Sequence, residues 1–237
     1  MDIKSNENFY NKLWKTSRVF KPTHWGHWEV IKNLNSEKSL EIGPGTKPKI
    51  SIKEGYFVDI SKESLRKLEQ AGGIVYQSNL QTKLPFKDSY FDLVCCFETL
   101  EHIPNDLFLL KEISRILKST GSVLLSFPTN MDFWNDYDIR VGHYRRYNVD
   151  KLDRLFKRAG LVILEYACLQ VPWPGKITGK ILSFLAGKFY TLTTLLQDLA
   201  DSLPNSVLTR QIKLLPWNSN NREKGNFTTI ILHAKNT

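Results

Sequence analysis

The sequence predicts an α/β fold built on a mostly parallel sheet with helices on its faces. Short apolar runs typical of strands recur along the chain, and amphipathic helical patterns separate several of them. No internal repeat or low-complexity linker interrupts this alternation. Alternation of strands and helices favours parallel pairing, and sheets of this kind bind ligands at the carboxyl ends of their strands. A Rossmann-like sheet is therefore expected.

The strand pattern appears in seven segments, and helical patterns fall between some of them. The strands are expected at residues 40–42, 56–59, 74–77, 91–97, 122–127, 161–169 and 227–234. Before the first strand, an aromatic-rich and helix-compatible stretch runs from about Phe9 to Asn35. Ser61 is placed to cap one helix, and residues 106–118 form a second, with apolar side chains on one face and Gly121 at its end. A third helix is expected from Asn148 to residues 159–160.

The composition fits one globular domain. The chain has 237 residues, of which 41% are hydrophobic and 24% charged, and a formal charge of +9. That charge suits anionic surfaces or substrates, although the basic residues are scattered and plain solvation explains them equally well. Cys95, Cys96 and Cys168 lie in strand-like runs without metal-ligand spacing, so a reducing cytoplasm is the expected location. Neither a signal peptide nor a bilayer-spanning run is visible.

The most informative motif is a glycine turn that directly follows the first apolar run. Residues 39–46 read SLEIGPGT, so that Glu41 is followed at once by Gly43 and Gly45. A second apolar run, residues 56–58, ends in Asp59. Glycines let the backbone approach a ligand closely, and an acidic residue ending the second strand is placed to accept both hydroxyls of a ribose. The pattern indicates an adenosine-containing cofactor.

The loop after the glycine turn argues against a nicotinamide dinucleotide. Only about ten residues separate Gly45 from the second strand, which is too short for a full crossover helix. Lys47 also occupies the position where a third glycine is expected. Because a pyrophosphate binds at a helix N-terminus, a loop without one favours an adenosine cofactor that lacks phosphates.

Taken in order, these segments resemble the class I S-adenosylmethionine-dependent methyltransferases, in the type 11-like group that includes ubiquinone-biosynthesis O-methyltransferases. The resemblance covers roughly residues 39–160. Residues 40–45 look like the family's first motif and residues 58–61 like its ribose-binding strand end. The adenine-side loop and the segments after it match residues 79–80, 84–86, 91–94, 98–103 and 117–122. Residues 227–234 fit the antiparallel seventh strand of that fold.

The resemblance implies an enzyme that transfers a methyl group by in-line displacement to a small-molecule acceptor at O, N or C. Its cofactor is S-adenosylmethionine, and Asn79 stands where the family usually carries Asp. The cofactor-binding residues implied are Glu41, Gly43, Gly45, Asp59, Ile60, Asn79, Leu80 and Phe97. The single domain would comprise an N-terminal helical cap (1–35), a cofactor-binding core (39–170), a helical lid or insertion (171–224) and a last strand (227–235).

Two histidines are the candidate catalytic residues. His102 follows the fourth strand and His143 follows the fifth, so both are expected at the carboxyl edge of the sheet, where a base or an acceptor contact is needed. With Glu98 and Glu101 they also look similar to the divalent-metal ligands of small-RNA 2′-O-methyltransferases. The same residue types cap the next helix in metal-free relatives, and the sequence leaves the two readings open.

The partners expected from the rest of the chain are less specific. Arginines alternate with tyrosines over residues 137–147, a pattern that fits an anionic substrate, a structural arginine network or, less well, nucleic acid. The insertion at 171–224 carries an apolar stripe at helical spacing, which suits a substrate cover, a dimer contact or a peripheral membrane contact. A small substrate with an apolar or anionic part is expected, and the oligomeric state is left open. Three other functions compete: a non-catalytic S-adenosylmethionine-binding regulatory or scaffold subunit, an RNA methyltransferase and a nicotinamide-dependent reductase.

Overall fold

The computed structural model describes residues 3–34, 36–169, 212–217 and 229–237. The described residues form helices and strands in alternation, as expected. The α-helices are α1 Ile3–Thr16, α2 His27–Ile31, α3 Lys62–Gln70, α4 Asp106–Ile116, α5 Asp136–Val141 and α6 Leu152–Arg158. The strands are β1 Ser39–Ile42, β2 Tyr56–Asp59, β3 Ile74–Gln77, β4 Phe91–Phe97, β5 Leu117–Pro128, β6 Leu161–Leu169, β7 Leu215–Pro216 and β8 Thr229–Asn236.

The strands form one sheet in the order β3-β2-β1-β4-β5-β8-β6-β7. Strands β1 to β5 pair in parallel, and β8 pairs antiparallel with β5 on one side and with β6 on the other. The mostly parallel sheet and the antiparallel last strand are thus confirmed. The two-residue strand β7 lies inside the expected insertion, of which residues 212–217 belong to the described part of the chain; the rest of 171–224 lies outside it.

The helix after β4 is shorter than predicted and the next strand is longer. Helix α4 ends at Ile116, and β5 begins immediately at Leu117, which pairs with Phe91. Gly121, expected to end the helix, lies inside the strand near a register shift between Phe91 and Leu93. A Cβ on Gly121 would lie 3.0 Å from the Asp92 carbonyl oxygen. The glycine therefore allows the irregular pairing of β5 with β4 at this point. In the sequence, a glycine of this kind cannot be told from one that ends a helix.

No helix lies between β1 and β2 among the described residues, as the short loop predicted. The loop is held instead by the buried carboxylate of Glu41, whose Oε2 accepts hydrogen bonds from the backbone N–H groups of Lys49 at 2.7 Å and Ile50 at 3.1 Å. One side chain thus satisfies two backbone donors that a helix would have paired internally.

The sheet is buried on both faces, which explains the continuous apolar runs of its central strands. One face carries the larger core, including Leu40, Val94 and Phe127, against α4 and α6. The other face carries a smaller core with Phe57 and Leu93 against α2 and α3. No helix among the described residues is long and apolar enough to cross a membrane.

Candidate active site

The loops that follow β1 to β4 meet at the carboxyl edge of the sheet and surround a cavity. Helix α1 also contributes to its wall. The residues from these loops that line the cavity include Gly43, Gly45, Asp59, Asn79, Glu98 and His102.

The glycine turn adopts a backbone that suits glycine and leaves no space for side chains. Gly43 has a φ of +69° and Gly45 a φ of +55°. A Cβ on Gly43 would lie 2.2 Å from Thr99 Oγ1, and one on Gly45 would lie 2.4 Å from the Trp14 ring. The turn can therefore pack this closely against Thr99 and Trp14 only because both residues lack a Cβ.

We expect Gly43→Ala to lower the free energy of unfolding by about 2 kcal/mol, because the left-handed backbone costs ~1–2 kcal/mol and Thr99 must also shift. Gly72→Ala is the matched control: Gly72 has a φ of +97°, but the nearest atom to an added Cβ is 4.0 Å away. Urea unfolding of the two variants measures the difference. Equal losses in both would show that Thr99 moves without cost.

Asp59 is anchored at the end of β2 by the glycine turn itself. Its Oδ2 accepts from the Gly45 N–H at 2.9 Å, and its Oδ1 accepts from the Ser61 N–H at 2.8 Å. Burial raises the pKa of Asp59, and the hydrogen bonds from backbone N–H groups oppose that rise. Each carboxylate oxygen keeps a further lone pair, so the anchored side chain can still accept from two hydroxyl groups of a ligand.

The loop after β3 completes the same wall of the cavity. Asn79 lines the cavity, and its Oδ1 accepts from the Gln81 N–H at 3.0 Å. Leu80 has a φ of +61° and is nearly fully buried. A non-glycine residue in the left-handed region is a strained one, and such residues cluster at ligand sites. Ile60, also predicted, lines the cavity as well.

Two predicted cofactor residues do not line the cavity in this structure. Glu41 is engaged by the loop that follows β1, as described above. The Phe97 ring packs on His27, with ring centroids 4.6 Å apart, within the smaller core. The next two residues, Glu98 and Thr99, take the cavity positions instead. The assignment of Glu41 and Phe97 to a cofactor therefore stays a prediction.

Helix α1 supplies wall residues that the sequence motifs did not assign. Asn6, Tyr10 and Trp14 line the cavity. They are spaced four apart, so they share one face of the helix, and Tyr10 and Trp14 were visible in the sequence only as members of an aromatic-rich stretch. The Tyr10 hydroxyl is 3.3 Å from His102 Nδ1 and donates to the Val141 carbonyl at 3.3 Å.

The structure brings the two candidate catalytic histidines together. The rings of His102 and His143 are 4.5 Å apart between centroids and nearly perpendicular. His102 lines the cavity, whereas His143 lies behind it. His143 Nδ1 is 2.7 Å from Asp138 Oδ1, so the buried Asp138 carboxylate fixes the orientation of that imidazole. Desolvation by burial, with the neighbouring His143, lowers the pKa of His102 to about 3, and His102 is therefore neutral at pH 7.

The fully buried carboxylate of Glu101 lies close to both rings. Its Oε1 is 3.9 Å from His102 Nε2 and 3.7 Å from His143 Nε2. Neither carboxylate oxygen has a hydrogen-bond partner among the described residues. Burial, reinforced by the nearby Glu98, holds the pKa of Glu101 well above its ordinary value. Glu98 faces the cavity, and its Oε1 accepts from Ser126 Oγ at 2.7 Å.

Two arginines of the 137–147 segment point into the protein. Arg145 pairs with Asp106 at 2.6 Å, and Arg146 pairs with Asp138 through Nε at 2.9 Å. The Tyr147 hydroxyl also donates to Asp106 at 3.1 Å. Of the three interpretations of the 137–147 segment, these contacts support a structural arginine network for Arg145 and Arg146.

Known proteins similar to this chain share the same domain. Residues 40–125 match the methyltransferase domain family. A probable S-adenosylmethionine-dependent methyltransferase of Mycobacterium tuberculosis is 33% identical over 90 residues, which are 37% of this chain and 32% of that protein. The ubiquinone biosynthesis O-methyltransferase of Vibrio campbellii is 27% identical over 143 residues, which are 53% of this chain and 61% of that protein. The matched part thus spans less than two thirds of either relative.

A solved structure from Thermotoga maritima, described as a SAM-dependent methyltransferase and possible histamine N-methyltransferase, has the same fold. It superposes with a TM-score of 0.59 at 16% identity and covers 91% of this chain and 89% of that one. Residues 40–125 thus match the methyltransferase domain family, and the sheet around them has the fold of S-adenosylmethionine-dependent methyltransferases, with a glycine turn anchored on Asp59.

Proposed function

We propose that this chain binds S-adenosylmethionine in the cavity at the carboxyl edge of the sheet and transfers its methyl group to a small-molecule acceptor. The observation that carries the proposal is the convergence of the Gly43–Gly45 turn, Asp59 and Asn79 on a cavity whose far end is His102. Bound there, S-adenosylmethionine supplies an electrophilic methyl group on a positively charged sulfur.

Each wall of the cavity has a chemical task in this proposal. Gly43 and Gly45, which line the cavity without a Cβ, would let the cofactor lie close to the backbone, and Asp59 would accept from the ribose hydroxyls. Asn79 would meet the adenine amino group through its side-chain oxygen, which also accepts from the Gln81 N–H. None of these contacts uses a helix N-terminus. This suits a cofactor that carries no phosphate.

The acceptor would lie beside His102 and under α1. Tyr10 and Trp14 give this part of the cavity an aromatic wall, which favours an acceptor with an apolar or aromatic part. The Vibrio relative is by its name a ubiquinone biosynthesis O-methyltransferase, and an apolar ring acceptor of that kind fits the same wall. His102 lines this end of the cavity, so it would contact the acceptor and help to orient it.

Titration calorimetry with S-adenosylhomocysteine and NADH tests the cofactor assignment. We expect S-adenosylhomocysteine to bind with one site per chain and NADH not to bind, because the turn lacks a helix N-terminus for a pyrophosphate. Binding of NADH alone would contradict the proposal. Transfer of radiolabelled methyl groups to a set of phenols and quinols then tests the reaction; cofactor binding without transfer to any acceptor would favour the non-catalytic subunit.

A further inference from the structure

We propose that Glu101, His102 and His143 form a binding site for a divalent transition-metal ion at the acceptor end of the cavity. The inference rests on the proposed function for its role in methyl transfer, but the metal site itself stands on the geometry of these side chains. It begins from the buried Glu101 carboxylate, whose two oxygens lack a hydrogen-bond partner among the described residues. A buried carboxyl group without partners is unfavourable unless a cation or a hydrogen-bond donor meets it.

The distances fit a single ion. One ligand atom from each of the three residues can be chosen so that all lie within 4.8 Å of one another. Glu101 Oε1 is 3.9 Å from His102 Nε2 and 3.7 Å from His143 Nε2. Ligands held at about 2.0–2.2 Å from one ion are roughly 3.0–4.2 Å apart, so both measured separations are those of a ligand pair.

The surroundings of the two imidazoles are those of metal ligands. His143 presents Nε2 to Glu101 while its other ring nitrogen, Nδ1, lies 2.7 Å from the Asp138 carboxylate. His102 has the Tyr10 hydroxyl 3.3 Å from Nδ1 and faces the carbonyl of Val141. Ligating histidines almost always donate their second N–H to a carboxylate, a carbonyl or a polar group, because that contact fixes the tautomer and the ring. Both rings are fixed in this way.

The backbone holds the two halves of the site together. The Tyr144 N–H donates to the Glu101 carbonyl oxygen at 2.8 Å, which ties the segment bearing His143 to the segment bearing Glu101 and His102. Glu98 stands in front of this group with a φ of +46°, a strained backbone for a glutamate. Strain of this kind persists where the surroundings require a residue in one place, and Glu98 lines the cavity with its Oε1 held by Ser126.

The ligand types indicate the kind of ion and the kind of acceptor. Two imidazoles with one or two carboxylates suit Mn²⁺, Fe²⁺, Co²⁺ or Zn²⁺ better than Ca²⁺, which prefers oxygen ligands only. An ion there would have an open position toward the cavity and would lower the pKa of an acceptor hydroxyl. The acceptor's proton then passes to solvent, its oxygen forms a bond to the methyl carbon, and the carbon–sulfur bond breaks to release S-adenosylhomocysteine. The site therefore predicts an oxygen nucleophile.

Direct metal binding tests the inference without an acceptor. The 237-residue protein is treated with chelator, dialysed into chelator-free buffer and titrated with Co²⁺ by visible absorption and with Mn²⁺ by calorimetry. We expect one ion per chain. Glu101→Gln keeps the shape of the side chain but removes its charge, and we expect it to weaken binding at least about 100-fold, as should His143→Gln.

The matched control is His233→Gln. His233 is also buried and pairs with a carboxylate, Glu165 at 2.8 Å, but its second nitrogen meets Ser122 at 3.1 Å rather than further metal ligands. The His233→Gln variant should bind Co²⁺ as tightly as the wild type does. If Glu101 is only a buried neutral acid, Glu101→Gln will leave the titrations unchanged or the wild type will bind no ion, and the inference is wrong.

Two further measurements keep the outcomes separate. Circular dichroism and thermal unfolding of each variant show whether the fold is intact; should Glu101→Gln not fold, His102→Gln takes its place in the same titrations. Calorimetry with S-adenosylhomocysteine on the same samples tests the proposed function independently. Cofactor binding without metal binding would overturn the metal site alone, and metal binding without cofactor binding would overturn the proposed function alone.

Discussion

Asp59→Ala should weaken the binding of S-adenosylhomocysteine at least about 100-fold, the largest effect that we expect on cofactor affinity. The carboxylate has two tasks, since it would accept from the ribose hydroxyls and it already accepts from the N–H groups of Gly45 and Ser61. Hydrogen bonds to a charged group contribute about 1.5–3 kcal/mol each, and ~1.4 kcal/mol is a factor of ten in affinity. Losing the ribose contacts and the fixed turn together gives at least the stated loss.

Calorimetry of the variant against the wild type measures this loss. Asp92→Ala is the matched control, because Asp92 also accepts a backbone hydrogen bond, from Lys38 at 3.0 Å, and pairs with Lys118 at 2.8 Å. It stands at the start of β4, at the opposite edge of the sheet from the cavity. The control should bind S-adenosylhomocysteine within about threefold of the wild type. Equal affinity of Asp59→Ala and the wild type would remove Asp59 from the site.

Asp138→Ala should lower the free energy of unfolding by about 3–5 kcal/mol, the largest effect that we expect on stability. The side chain is fully buried and accepts from Arg146 at 2.9 and 3.0 Å and from the Asn135 N–H at 2.9 Å. It also holds His143. Removing one partner of a buried pair leaves the arginine charge uncompensated, which costs about 3–5 kcal/mol and corresponds to a fall of roughly 10 °C in Tm.

Thermal and urea unfolding measure this change, and Asp136→Ala provides the control from the same helix. Asp136 also lies in the first turn of α5, but its side chain is exposed. Its removal should cost about 0.5 kcal/mol through the helix dipole. If both variants lose the same small amount, the pairing of Asp138 with Arg146 does not stabilise the fold. If Asp138→Ala also weakens Co²⁺ binding while the protein stays folded, its contact with His143 positions that ligand.

Local sequence patterns were sufficient for the parts of the fold that depend on neighbouring residues. The apolar runs located the parallel strands, and Ser61 was identified as an N-cap that the structure confirms through its contact with the Ser64 N–H at 3.3 Å. The boundary between α4 and β5 was missed. A glycine can end a helix or allow two strands to approach closely, for the same reason that it has no side chain, and Gly121 does the second. Only the register of β4 against β5 distinguishes the two uses.

The meeting of Gly43, Gly45, Asp59 and Asn79 at one cavity was predictable for the same reason. Each lies at or shortly after the end of a strand, and the carboxyl ends of parallel strands meet at one edge of the sheet. Their sequence positions therefore give their approximate place in space. Phe97 shows the limit of that rule: it is the last residue of β4, and the alternation of side chains across a strand turns it to the smaller core.

The sequence by itself determined the sheet, the turn and the family resemblance, because these depend on short-range spacing and on strand order. The tertiary structure alone decided that α1 places Tyr10 and Trp14 over the cavity, and that His143, far from His102 in sequence, packs 4.5 Å from it around a buried Glu101. Contacts between distant segments depend on how helices and loops pack on the sheet, and no local pattern encodes that packing. The same glycine turn that predicted the cofactor thus lies beside a cluster that only the folded chain assembles.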